Sequence, residues 1–128
     1  MLVFLTMGIG LEMLHGFKLP WYTAVDAETR RLMWTLAHSH GTLLGIVHIA
    51  FAFTLTRLPG EVNKSLACAS ICLVGAGILM PMGFLLGGMF YYSGDPGIGI
   101  LLVPPGGGML LIAVLIVARI CSKRRSLE

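Results

Sequence analysis

Charge is what this chain has least of. Only 12% of its 128 residues are Asp, Glu, Lys or Arg, against roughly 25% in a soluble domain. That scarcity excludes an ordinary cytosolic enzyme. It also excludes a disordered tail, which is polar and highly charged. The formal net charge of +3 is not gathered into a patch that a duplex could use, so nucleic acid is excluded as a partner. Cysteine is sparse and unpatterned. Cys68 and Cys72 stand i, i+4 in an apolar run, Cys121 lies at the far end, and no CxxC or Cys/His zinc spacing occurs. These thiols read as small buried hydrophobes.

What is present is apolar: 56% of the residues are hydrophobic and the mean hydropathy is +0.87. The expected fold class is all-α, an integral membrane four-helix bundle forming a single transmembrane domain over 1–126. Leu127 and Glu128 read as a cloning remnant. A span needs about 20 apolar residues, and the candidate spans run near 1–17, 32–56, 65–91 and 104–121. The first is short, is interrupted by Glu12, and lacks the basic start and cleavage site of a signal peptide, so it is expected to be a retained helix. The fourth is placed after Pro104 and Pro105, because proline suits the first turn of a helix and not its interior. The apolar, Gly-punctuated residues Gly97 to Val103 before it must then lie at the interface or against protein. They read as an interfacial loop, or as the cover of a pocket.

Four spans place both termini on one side. That side carries Arg57, Lys64, Arg119, Lys123, Arg124 and Arg125, against Lys18, Arg30 and Arg31 opposite. The imbalance predicts an inner (plasma) membrane protein with both termini cytoplasmic.

Against this apolar background the ionisable groups stand out, since at membrane depth they are costly and mark function. All four histidines, His15, His38, His40 and His48, lie in or beside the spans. On helix two Arg31, Trp34, His38, Gly41, Gly45 and His48 are separated by threes and fours and so share a face, whereas His40 points away. Gly41 and Gly45 let another helix or a flat cofactor approach closely. His38 and His48 are ten residues apart, about 15 Å along the axis, and cannot share one metal ion. Either can be a single axial ligand to a haem iron, and Arg31, about 10 Å outward of His38, suits an anionic propionate. His38 is the first choice as metal ligand, with His48 and His40 behind it. Histidines bonding across helices, and glycines acting only as packing surface, would produce the same spacing. Glu12 and His15 form one i, i+3 pair. A di-iron bundle needs a second pair and further carboxylates, which the cores of helices two to four do not contain.

Several segments together resemble the styrene oxide isomerase family of small four-helix membrane proteins. They are Gly8-Ile9-Gly10-Leu11-Glu12-Met13 with His15-Gly16-Phe17, then Trp34-Thr35-Leu36-Ala37-His38-Ser39, Gly45 and Ile49-Ala50-Phe51-Ala52-Phe53. Gly83-Phe84, Phe90 and the Gly/Pro-rich run before helix four complete the order. The most specific part is Trp-x-x-Ala-His-Ser. The resemblance implies a homotrimer in the lipid bilayer that holds haem b between subunits, with His38 as axial ligand. It further implies ferric iron acting as a Lewis acid on an epoxide, an isomerase that yields an aldehyde. The chain departs from that pattern where the isomerases carry an Asn, an Asp and a Tyr: the matching positions are Leu44, Gly77 and Leu85. The resemblance therefore implies the haem scaffold more strongly than epoxide turnover, and a small neutral ligand is the alternative occupant. The rival expectations are a haem-free small transporter or pore, which lacks support from any internal repeat, and an accessory membrane subunit.

Overall fold

The computed structural model describes residues 1–57, 64–92 and 94–125; Leu127 and Glu128 lie outside them. Its elements are helical: α1 (Leu2–Gly16), α2 (Pro20–Thr23), a 3-10 turn (Val25–Ala27), α3 (Glu28–Arg57), α4 (Lys64–Met89), a second 3-10 turn (Ile98–Leu102) and α5 (Val103–Arg125). One antiparallel bridge, Tyr92 with Asp95, closes the turn after α4.

Three stretches are long and apolar enough to cross a membrane: Val25–Arg57, Lys64–Met89 and Ile98–Lys123, with mean hydropathies of 1.3, 2.1 and 2.5. The helix α1 has 15 residues, about 22 Å at 1.5 Å per residue, and is shorter than the roughly 30 Å hydrocarbon layer. The all-α reading thus holds, with three span-length helices and one shorter apolar helix.

Helix boundaries follow local chemistry. Helix α3 begins at Glu28, earlier than the charge-free run, because an acidic first turn complements the helix dipole and the added turns carry polar groups out of the apolar layer. Helix α5 begins at Val103, with Pro104 and Pro105 in its first turn, where no backbone donor is needed. Pro81 lies inside α4 and is buried. It removes the donor to the Gly77 carbonyl one turn earlier.

Helices α3 and α4 pack together, α1 packs on α3, and α5 packs on α4. Among the described residues the backbones of α1 and α4, and of α3 and α5, make no close approach. The four long helices therefore form a row, α1–α3–α4–α5, and not a closed ring. Small side chains line the seams: Ala37, Ala69 and Ala76 are fully buried, as expected where packing rather than hydrophobicity joins helices in lipid. The central cluster is Met33, Ala37 and Phe84, with Met7, Leu36, Leu85, Ile100 and Val103 against it.

The segment before α5 is packed against protein. The Gly97 N–H donates to the Gly87 carbonyl at 2.8 Å. A methyl at Gly83 would stand 2.8 Å from the Val103 side chain and 3.1 Å from the Gly99 carbonyl oxygen. Residues 97–102 are thus seated on a glycine groove of α4, which satisfies the rule that irregular backbone at depth needs protein around it.

Candidate functional site

The α1–α3 seam and the α2 turn that closes over it build a cavity of about 400 Å³. From α1 it receives Gly8, Leu11, Glu12 and His15; from α2, Tyr22; and from α3, Arg31, Thr35 and His38. The positions are spaced by threes and fours along α1 (8, 11, 12, 15) and α3 (31, 35, 38), so one stripe of each helix faces the same space. Glu12, His15 and Thr35 are exposed, His38 and Arg31 are half-buried, and Tyr22 is buried. The cavity is therefore open on its polar side.

His38 is held from two directions. Its Nδ1–H donates to the Phe4 carbonyl at 2.6 Å, and its ring lies against Gly8, where a Cβ would collide with it. The two contacts share a cause: Phe4 and Gly8 are one helical turn apart, and a residue without a Cβ lets the imidazole reach the carbonyl beside it. A carbonyl only accepts, so the proton sits on Nδ1 and the Nε2 lone pair is left for a ligand.

The mouth is set by Arg31 and Tyr22. Arg31 Nη1 donates to the carbonyls of Tyr22 (2.9 Å) and Ala24 (2.7 Å). Arg30 Nη1 donates to the Trp21 carbonyl at 3.0 Å. These bonds fold the α2 turn back over the start of α3. Burial pushes the Tyr22 phenol above its ordinary range; Glu12 adds to this, while the Arg31 charge and a hydrogen bond with Thr35 pull it down. The phenol is thus a neutral donor at physiological pH.

The predicted α3 face is divided between different surroundings. Arg31 and His38 share the cavity. The Trp34 Nε1–H donates to the Leu85 carbonyl on α4 at 3.2 Å, and its ring stacks on Tyr22 with centroids 6.3 Å apart. Gly41 and Gly45 admit α1: a methyl at Gly41 would meet the Phe4 ring, and one at Gly45 would stand 2.6 Å from Met1. Of the two visitors foreseen for this glycine pair, a helix lies beside it. His48 lines a second cavity, of about 280 Å³, with Gly41, Gly45 and Gly77. Its Nδ1–H donates to the Leu44 carbonyl at 2.7 Å. His40 donates from Nδ1 to the Leu36 carbonyl at 2.9 Å and packs on Phe84, ring centroids 4.8 Å apart. The three α3 histidines therefore occupy separate places.

Among the described residues no three His, Cys, Asp or Glu side chains converge to hold a metal ion. A bare ion has no protein ligand set here; iron would have to bring the ligands of a porphyrin with it. Sequence reasoning missed Gly8 as the seat of His38, and Tyr22 and Thr35 as cavity walls. The spacing from Gly8 through Glu12 to His15 was a signal that α1 presents a polar stripe. No protein-family model matches the chain, and no match was found among curated proteins or solved structures.

Proposed function

We propose that this chain is a haem-b-binding membrane protein of the styrene oxide isomerase type, in which His38 Nε2 would hold the haem iron. The observation that carries the reading is the seat of His38, whose Nδ1–H bond crosses to the Phe4 carbonyl on α1 while its ring lines the cavity that holds Arg31; the matching bonds of His40 and His48 stay within α3. A hydrogen-bond acceptor on the other ring nitrogen is the usual partner of a metal-ligating imidazole, fixing its tautomer and raising its basicity. The donor set fits the group: one imidazole on the wall of a cavity, with the Arg31 guanidinium in the same cavity to meet a propionate. Trp34 acts behind the site by tying α3 to α4, and Gly41 with Gly45 acts by seating α1.

When bound, ferric haem supplies a Lewis-acid centre for the oxygen of a small neutral molecule. The chain's own polar groups decide what that molecule is. Leu44, Gly77 and Leu85 line no part of the cavity, so the residues that would meet a ligand are Glu12, His15, Tyr22 and Thr35. Tyr22 can donate a hydrogen bond, and Glu12 and His15 line the open side. This set differs from the isomerase pattern and favours a ligand other than styrene oxide. The open row of helices supports a trimer in which a neighbouring subunit closes the haem site. Six basic residues at the α3–α4 and C-terminal ends support a topology with both termini in the cytoplasm.

The test is the visible spectrum of the detergent-purified, haem-reconstituted protein. A Soret band is expected in the wild type and in His40→Ala and His48→Ala, lost in His38→Ala and restored to that variant by free imidazole. Colourless wild-type protein, or an unchanged spectrum in His38→Ala, overturns the proposal and leaves the half-open polar cavity to the haem-free transporter reading.

A further inference from the structure

His48 takes no part in the His38 cavity and lines the second one, of about 280 Å³. Apart from His48 and the glycines already named, the walls of this space include Phe4 on α1, Ile49 on α3, and Val74 and Ile78 on α4. Among the described residues the backbones of α1 and α4 make no close approach, and the cavity lies between them where both flank α3.

Two hydrogen-bond acceptors border this apolar space. The first is the imidazole: its Nδ1–H donates to the Leu44 carbonyl at 2.7 Å, so the proton sits there and the Nε2 lone pair is left open. The second is made by the sequence of α4. Pro81 stands four residues after Gly77 and has no N–H, so the Gly77 carbonyl lacks the partner that a helix ordinarily supplies. Glycine presents only main chain, and here that main chain meets the ring. A methyl on Gly77 would stand 2.9 Å from His48 Cε1 and 3.6 Å from Nε2. The two acceptors thus lie on facing walls, and no donor side chain or carboxylate lines the cavity among the described residues. Acceptors withdrawn from water without a partner are costly, and a ligand that brings two donors removes that cost.

We infer that this cavity binds a neutral primary arylamine, whose amino group donates to His48 Nε2 and the Gly77 carbonyl while its ring lies among Phe4, Ile49, Val74 and Ile78. The donor count selects the class. An alcohol or phenol brings one proton for two acceptors, and an amide brings a carbonyl that finds no donor here. An alkylammonium brings a charge that no carboxylate balances. An arylamine brings two N–H protons, and its lone pair is delocalised into the ring and needs no partner. Size agrees, since an apolar cavity of roughly 150 Å³ already admits benzene. The inference is independent of the haem reading, because it uses another cavity and a histidine that the iron does not need.

Nitrogen NMR of the detergent-purified full chain, labelled at its histidine nitrogens and titrated with aniline, N,N-dimethylaniline and toluene, tests it. The His48 signal is assigned by its loss in His48→Phe. Aniline should move the His48 Nε2 resonance to that of a hydrogen-bonded acceptor and leave His40, which packs on Phe84, unmoved. Each neutral hydrogen bond is worth about fivefold in affinity, so aniline should bind about 25-fold more tightly than toluene. N,N-dimethylaniline, the same ring without donors, should bind like toluene. Pro81→Ala, which returns a donor to the Gly77 carbonyl, should weaken aniline about fivefold and leave toluene unchanged. Equilibrium dialysis should show the same loss for His48→Phe, and the wild-type comparison of aniline with toluene needs no variant. A His48 signal that ignores aniline, or answers equally to N,N-dimethylaniline, overturns the inference. An Nε2 that is hydrogen-bonded before any ligand is added, and stays so, also overturns it and assigns the cavity to water.

Discussion

His38 and Gly8 show how much one missing methyl can determine. Gly8 makes room for the imidazole, and the imidazole then reaches the Phe4 carbonyl at 2.6 Å. Two effects compete at this position. Ala is the better helix former by about 1 kcal/mol, yet its Cβ would fall on a ring that a hydrogen bond holds in place. Overpacking of this kind costs about 1–3 kcal/mol, so the steric term wins. Gly8→Ala is expected to lower the thermal stability of the purified protein and weaken haem retention. Gly16→Ala, where a methyl meets open space, is expected to be neutral or slightly stabilising. Equal melting temperatures for the two variants would show that the ring is free to move aside. The histidine was legible from its place on an apolar helix. Its seat was not, because glycine in a membrane helix is common and only the partner helix shows which one is needed.

At the scale of the element, the segment from Gly97 to Leu102 best separates pattern from packing. Composition required it to sit at the interface or against protein, and the structure seats it in the Gly83–Gly87 groove of α4. Gly99 is fully enclosed there: a methyl on it would run into Leu86 and stand 2.8 Å from the Gly87 nitrogen. Gly99→Val is therefore expected to cost about 1–3 kcal/mol and to expose the connection between α4 and α5 to limited proteolysis. A variant as resistant to protease as the wild type would mean that the turn is not seated. The start of α5 was legible from Pro104 and Pro105. The extension of α3 back to Glu28 was not, because a count of apolar residues ends where charge begins, whereas a helix continues into water as long as its backbone bonds are made.

For the whole molecule the open question of topology turns on α1. At about 22 Å it is shorter than the apolar layer of roughly 30 Å, a mismatch that local thinning and polar ends can absorb. Glu12 and His15 at its C-terminal half face the open cavity and not lipid alone, which reduces the cost of inserting them. Four crossings put both termini on one side and three put them on opposite sides. Tags at the two ends are expected to be protected together in intact cells and digested together in inverted vesicles. Opposite behaviour would place α1 on the membrane surface. Among the described residues the row leaves the backbones of α1 and α5 each beside a single span-length helix, so contacts between subunits have ample surface to use.

The sequence alone determined the solvent, the helices and the unusual polar positions. These depend on local hydropathy, proline chemistry and the 3.6-residue period, all of which act within one segment. It also separated His38 from His48, because the rise of a single helix sets that distance. Only the tertiary structure decided that Glu12, His15, Tyr22, Thr35 and His38 face one cavity, that Phe4 and Met1 occupy the Gly41–Gly45 seat, and that α3 and α5 stay apart around a groove. Those outcomes depend on which helix lies beside which. In an apolar solvent that choice is made by the fit of small residues and a few hydrogen bonds between helices, and not by the hydropathy that a sequence displays.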